Sequence, residues 1–303
     1  MNDYPQEQVF KGMRRFRYRS QELLLNDAKR SPYYWWWAYL RLSRDYWWVC
    51  QRKGIADDQR LRAMYRDFGN VYEQPFEAWW GKRGVDLFSE QIALPKVREL
   101  DAVNLKLSRG HNSYLLLEIP IQLTERTIIS QVRKFLREHP DREVQRVSHA
   151  QRPLAKLIGI RQDVIESAHA VWRVHHESRD GRVAEKIGQA YGAKTLYQIG
   201  KELRLVRSCM PVVTDSKERA AKRVNGMKVA VVRMLDRANN LAANAATGVF
   251  PCVQPAREPI VWRPVQQRKM DEAIAAGLWR PLFDENQTLI VQQPDDADLF
   301  LSK

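Results

Sequence analysis

The stretch Ser31–Gln51, SPYYWWWAYLRLSRDYWWVCQ, decides how this chain folds. It carries five of the ten tryptophans, and Trp79 and Trp80 follow fewer than thirty residues on. A large aromatic contributes about 1.5–3 kcal/mol or more when fully buried. Seven tryptophans this close together either nucleate a core or form an exposed stacking surface. Ser31-Pro32 has the form of a helix start, with Ser as N-cap and Pro at the first helical position. Trp36, Tyr39 and Leu40 then fall on one face. Ser43 caps a second short helix through Tyr46, Trp47 and Cys50 that ends at Gly54. We therefore expect Trp36, Tyr39, Leu40 and Trp47 in a core. Consecutive tryptophans on a helix cannot all face one way, so Trp35 or Trp37, and Trp48, are expected at the surface.

Downstream, Asp57-Asp58 opens a helix with Leu61, Met64, Tyr65 and Phe68 apolar, stopped by Gly69. The segment PFEAWWGKRGVDLFSE gives one or two further short helices. Upstream, Arg14, Arg15, Arg17 and Arg19 interleave with Phe16 and Tyr18. That pattern suits a basic arm that touches nucleic acid, or a solvated segment folded onto the domain. Residues 1–95 form the first expected domain, an aromatic-rich helical one.

Trp37-Ala38-Tyr39-Leu40-Arg41-Leu42-Ser43-Arg44-Asp45-Tyr46 resembles the W-x-F-L-R-R-N-x-x-Y signature of a short proteobacterial transcriptional regulator-like domain. About 15 residues are covered, with Tyr for Phe, Leu for the second Arg and Ser for Asn. That family occurs with helix-turn-helix modules in regulators of integrative and conjugative elements. The resemblance implies a DNA-binding role in a bacterial mobile element.

The chain has 303 residues and a net charge of +14, with a pI near 9.8. Such a balance favours a polyanionic partner, nucleic acid before a membrane surface. The excess is uneven. Residues 121–240 hold 24 Lys and Arg against 13 Asp and Glu, whereas residues 241–303 hold 6 against 8. No apolar run approaches the roughly 20 residues that span a bilayer, and the N-terminus has no apolar signal segment. Three distant cysteines (Cys50, Cys209, Cys252) do not suggest a disulfide framework. A bacterial cytoplasmic location is expected.

Residues 96–145 change character. AVNLKLS (102–108) alternates apolar and polar, RGHN makes a turn, and YLLLEIPIQL (114–123) follows, which together give a β-hairpin. Thr124 then caps an amphipathic helix with Ile128, Ile129, Val132, Phe135 and Leu136 on one side. Residues 146–250 form a basic, helix-turn-helix-like domain. Gln162–Glu177 is a helix, with Val164, Ile165, Ala168, Val171 and Trp172 inward. Val183–Gly192 resembles the first helix and turn of a helix-turn-helix, which makes Thr195–Arg204 the recognition helix. Its outward residues Lys194, Thr195, Gln198, Lys201 and Arg204 suit groove and phosphate contacts. An ordinary helical hairpin accounts for the same pattern.

Asp215 or Ser216 then caps a helix of about thirty residues terminated by Gly248 and Pro251. Lys217, Lys222, Arg223 and Lys228 are its DNA-binding candidates, with Arg219, Arg233 and Arg237 also basic. Its run NNLAANAAT permits close helix contact, so homo-oligomerisation is open to it. Residues 251–303 give a proline-rich linker, a helix at about 264–276 ending at Gly277, and a hairpin turning at Asp284-Glu285-Asn286.

The expected fold is thus mainly α with minor β. Gly-rich phosphate loops, HExxH and GxSxG are absent from the sequence. His169, His175 and His176 lie on one helix without further ligands at metal spacing, so no metal or cofactor is expected. The favoured expectation is a DNA-binding regulator or mobile-element accessory factor with duplex DNA as partner. A protein-, RNA- or single-strand-binding module with an aromatic docking surface is the alternative. A nucleic-acid-processing enzyme comes third.

Overall fold

Side-chain caps start the helices where the serines and acids stand. Ser20 caps α1 (Gln21–Lys29). The Ser31 hydroxyl accepts from the Tyr33 N–H at 3.2 Å and opens α2 (Pro32–Leu42). Ser43 ends α2 and caps α3 (Arg44–Gln51), and Asp58 caps α4 (Gln59–Phe68), which stops at Gly69 with φ 67°. The short helix α5 (Phe76–Trp79) runs through a π turn at Trp80–Gly84 into α6 (Val85–Phe88). Then come α7 (Glu125–Glu138), α8 (Gln162–Glu177), α9 (Leu196–Glu202), α10 (Lys217–Ala246) and α11 (Pro264–Ala275). The computed structural model describes residues 8–13, 17–18, 20–90, 119–120, 122–138, 148, 150–155, 161–179, 193–279 and 281.

The protein is mainly helical. A short antiparallel pair joins Gln8–Val9 to Arg17–Tyr18, with Gln8 opposite Tyr18 and Val9 opposite Arg17. Both expected hairpins, at 102–123 and after Trp279, fall almost wholly outside the described residues.

The chain divides into two units rather than four domains. One comprises Met1–Ser89 with Ala150–Lys303, and the other Glu90–His149. The larger unit crosses the expected boundaries because the aromatic stretch needs more surface than residues 1–95 supply. The Trp36 indole N–H donates to the Ala245 carbonyl, and the Tyr39 hydroxyl to the Ile165 carbonyl at 2.8 Å. The Trp36 ring lies 5.4 Å from Phe68, 5.6 Å from Phe88 and 5.7 Å from Phe250. Ring pairs at these separations add about 0.5–1.5 kcal/mol each beyond area burial.

Helix α2 is packed by α1, α3, α8 and α10. It is covered on nearly all sides, so Trp36 and Trp37 are both buried, and Trp48 is buried on α3. This corrects the expectation that Trp48 stays at the surface. Of the first five tryptophans only Trp35 keeps partial exposure. The core also encloses a charge. Arg41 is fully buried, its guanidinium 4.5 Å over the Trp37 ring and 6.0 Å from the Tyr72 ring. Burial lowers its pKa to about 9.

The NNLAANAAT run is used inside the chain. Ala242, Ala245 and Ala246 are buried, where their small side chains let α2 approach. The Asn244 amide donates to the Cys252 and Gln254 carbonyls, and the Asn240 amide to Val253, which fixes the proline-rich linker. Trp262, at the linker's end, donates to Asp45 at 2.7 Å.

In the smaller unit, α7 is strongly amphipathic but has no buried side chain. Thr124 caps it through the Thr127 N–H.

Candidate nucleic-acid interface

The basic region begins at the α9 cap. The Thr195 hydroxyl accepts from the Gln198 N–H at 3.3 Å, and the Gln198 side-chain oxygen accepts from the Thr195 N–H at 2.7 Å. This capping box uses both side chains to satisfy the helix's own donors. Ile199 and Gly200 face α10. A Cβ on Gly200 would stand 2.4 Å from the Met227 side chain and 3.0 Å from Val231. Glycine is therefore what lets the two helices close.

Helix α9 ends in a Schellman motif, with the Leu205 N–H bonded to the Gly200 carbonyl and the Arg204 N–H to Lys201. Arg204 has φ 47°. That left-handed conformation usually falls to Gly, as at Gly248 and Gly277 in the same place after α10 and α11.

A 3-10 turn (Arg207–Cys209) and a short loop lead into α10, whose N-cap Ser216 accepts from the Arg219 N–H. None of residues 217–226 is buried; the first buried residue is Met227. The N-terminal third of this 30-residue helix therefore meets solvent, while the C-terminal half enters the aromatic core.

The structure separates the candidate residues by what holds them. Lys194 is paired with Glu202 at 2.6 Å, Lys222 with Glu218 at 2.7 Å, and Arg223 with Asp215 at 2.7 Å. Arg223 also donates to the Ser208 carbonyl, so it staples the 3-10 turn to α10. Lys201, Arg204, Lys217 and Lys228 are exposed and face no carboxylate among the described residues. Arg207, Arg219 and Arg233 are equally exposed and belong with them.

At about 100° per residue, Lys217 and Lys228 lie along one flank of α10 and Arg219, Lys222 and Arg233 along the other. The candidates are thus brought to two flanks rather than to one face. The proposed first helix of the helix-turn-helix, Val183–Gly192, lies outside the described residues. So do Arg14, Arg15, Arg19 and the side chain of Arg17.

Across residues 194–237 eleven Lys and Arg stand against four Asp and Glu. An exposed surface of this sign attracts polyanions and releases their counterions on binding.

The histidines sit elsewhere. The His169 ring lies 5.3 Å from Trp35 and 5.5 Å from Tyr39; burial, then Arg173 and Arg41, lower its pKa to about 4. His176 stacks on Trp172 at 3.7 Å, and burial likewise lowers it to about 4. Among the described residues no group of three His, Cys, Asp or Glu could hold a metal ion. No described helix is long and apolar enough to cross a membrane.

No family model matches the chain, and neither does any curated protein or solved structure.

Proposed function

We propose that this protein binds nucleic acid, duplex DNA foremost, as a transcriptional regulator or mobile-element accessory factor. The observation that carries this reading is the solvent-exposed, basic N-terminal third of α10, on a helix packed against the α9 that bears Lys201. A protein binding through phosphates loses affinity as salt rises, by about 0.9 in the log–log slope per phosphate neutralised. The test is a salt titration of the full chain on duplex DNA, single-stranded DNA and RNA. Duplex binding that falls steeply with salt, weakened by Lys201→Ala with Arg204→Ala, supports the reading. Absence of duplex binding at low salt refutes it.

The aromatic-docking alternative draws less support. Eight of the ten tryptophans are buried, and only Trp35 and Trp279 keep partial exposure. Stacking platforms for single strands need open aromatic faces.

A further inference from the structure

We propose that the N-terminal part of α10, with its solvent-facing side, rather than α9, enters the DNA major groove, and that Asn225 reads a base there. The proposal rests on the duplex-binding reading above and assigns its specificity.

The major groove, about 12 Å wide, admits an α-helix whose outer face meets base edges while its flanks face the two phosphate walls. Helix α10 has this distribution. Taking Asn225 as the outermost direction, Lys217 and Lys228 lie about 80° and 60° to one side at 100° per residue. Lys222, Arg233 and Arg219 lie about 60°, 80° and 120° to the other. Met227, Val231, Ala238 and Leu241, the buried residues up to the point where the helix enters the core, lie about 120–160° away from Asn225; Ala242, Asn244 and Ala246, which lie closer to its direction, come only at the far end. Both flanks are therefore basic, and the core side points away from the groove.

The arc between the flanks is small and neutral over the helix's middle: Ala221, Asn225, Val229 and Val232. All four are exposed, Val229 and Val232 at 48% and 43%. Asn is the side chain that pairs bidentately with adenine, and a small apolar residue meets the thymine methyl. Glu218 shares this arc but is tied to Lys222 at 2.7 Å. Asp236 turns the face acidic about 16 Å beyond Asn225 along the axis, which marks where the contact ends.

By contrast α9 has seven residues, with Ile199 and Gly200 against α10, Thr195 and Gln198 committed to the capping box, and Lys194 to Glu202. It has little left to present to bases. Lys201 and Arg204 at its end remain available to phosphates.

The experiment is selection of duplexes from a random library by the full chain, then Asn225→Ala and Val229→Ser measured on the selected and a scrambled duplex. Asn225 is exposed and has no packing role, so both variants are expected to fold. The selected sites should share a fixed adenine. Asn225→Ala should lower the preference for them about 5- to 150-fold, with the salt slope on scrambled duplex unchanged. A library that returns no preferred sequence overturns the proposal, as does a preference that survives Asn225→Ala. Either result leaves duplex binding standing. Absence of wild-type duplex binding, or stronger binding to single strands, overturns the functional reading and this proposal together.

Discussion

Replacing Arg204 by glycine should strengthen the fold and weaken binding at once. Arg204 occupies the left-handed position of the α9 Schellman motif with φ 47°, where a Cβ costs about 1–2 kcal/mol. Glycine removes that cost but gives back up to about 1 kcal/mol in chain entropy. The net expectation is a gain of about 0.5–1 kcal/mol, or about 1–4 °C in Tm for a unit of this size. The side chain is exposed and forms no ion pair within the described residues, so its loss costs the fold nothing further. A non-glycine residue kept in a strained conformation points to a use for its side chain. If Arg204 meets a phosphate, the salt slope of duplex binding should fall by about 0.9. The assays are calorimetric unfolding and a salt titration on one duplex, with Arg204→Ala as control. The alanine variant keeps the strain and loses the charge, so its slope should fall without a rise in Tm. A fall in Tm for Arg204→Gly, or a Tm gain with an unchanged salt slope, would refute the reasoning.

Other perturbations separate packing from binding. Trp36→Ala removes a fully buried ring from contact with Phe68, Phe88 and Phe250 and should cost about 3–5 kcal/mol, read from the urea midpoint. Gly200→Ala puts a methyl against Met227 and Val231 and should destabilise by about 1–3 kcal/mol; a stabilised variant would contradict the close approach of α9 and α10. His169 is held neutral with its pKa lowered to about 4 from 6.5, so the unfolded chain binds the extra proton. Stability from this group is therefore full above about pH 6.5 and falls as pH drops toward 4, by up to about 3 kcal/mol. The loss between pH 7 and pH 5 should be smaller in His169→Gln, and an equal loss would exclude His169 as its source. Acrylamide should quench tryptophan fluorescence weakly, since Trp35 and Trp279 alone keep partial exposure.

The helices were legible where a local signal sets them. Ser31-Pro32, Ser43, Asp58, Thr124 and Ser216 act on the backbone within three residues, and each stands where its helix begins. Gly248 and Gly277 mark ends in the same local way. The assembly was not legible, because the partners of the aromatic stretch lie far along the chain. Nothing around Trp36 announces Ala245, and nothing around Asp45 announces Trp262. Those distant contacts join Met1–Ser89 and Ala150–Lys303 in one compact unit, where the sequence suggested domains at 1–95, 146–250 and 251–303. Burial of Trp48 was missed for a related reason. A one-face rule holds for a helix on a surface, and α3 is packed by α2, α4 and α10. Burial of Arg41 was hidden because the Trp37 and Tyr72 rings that its guanidinium faces do not mark it in the sequence as a core residue.

The candidate interface was legible as charge and illegible as chemistry. Counting Lys and Arg picks out residues 194–237 but treats every cation alike. Lys194, Lys222 and Arg223 resemble Lys217 and Lys228 in sequence, yet the first three are held by Glu202, Glu218 and Asp215. A pair at i, i+4 such as Glu218–Lys222 can be anticipated from spacing. Lys194–Glu202 depends on how the α9 cap turns, and Arg223–Asp215 on how the 3-10 turn meets α10. The distinction matters physically. An exposed ion pair is worth little to stability, so a phosphate can compete for Lys222 at small cost. Arg223 also staples the turn through Ser208, so drawing it toward DNA would loosen the loop that sets the start of α10. Lys217, Arg219, Lys228 and Arg233 carry no such obligation. They lie on the two flanks that a groove-bound helix turns toward phosphate, and Asn225 stands midway between those flanks.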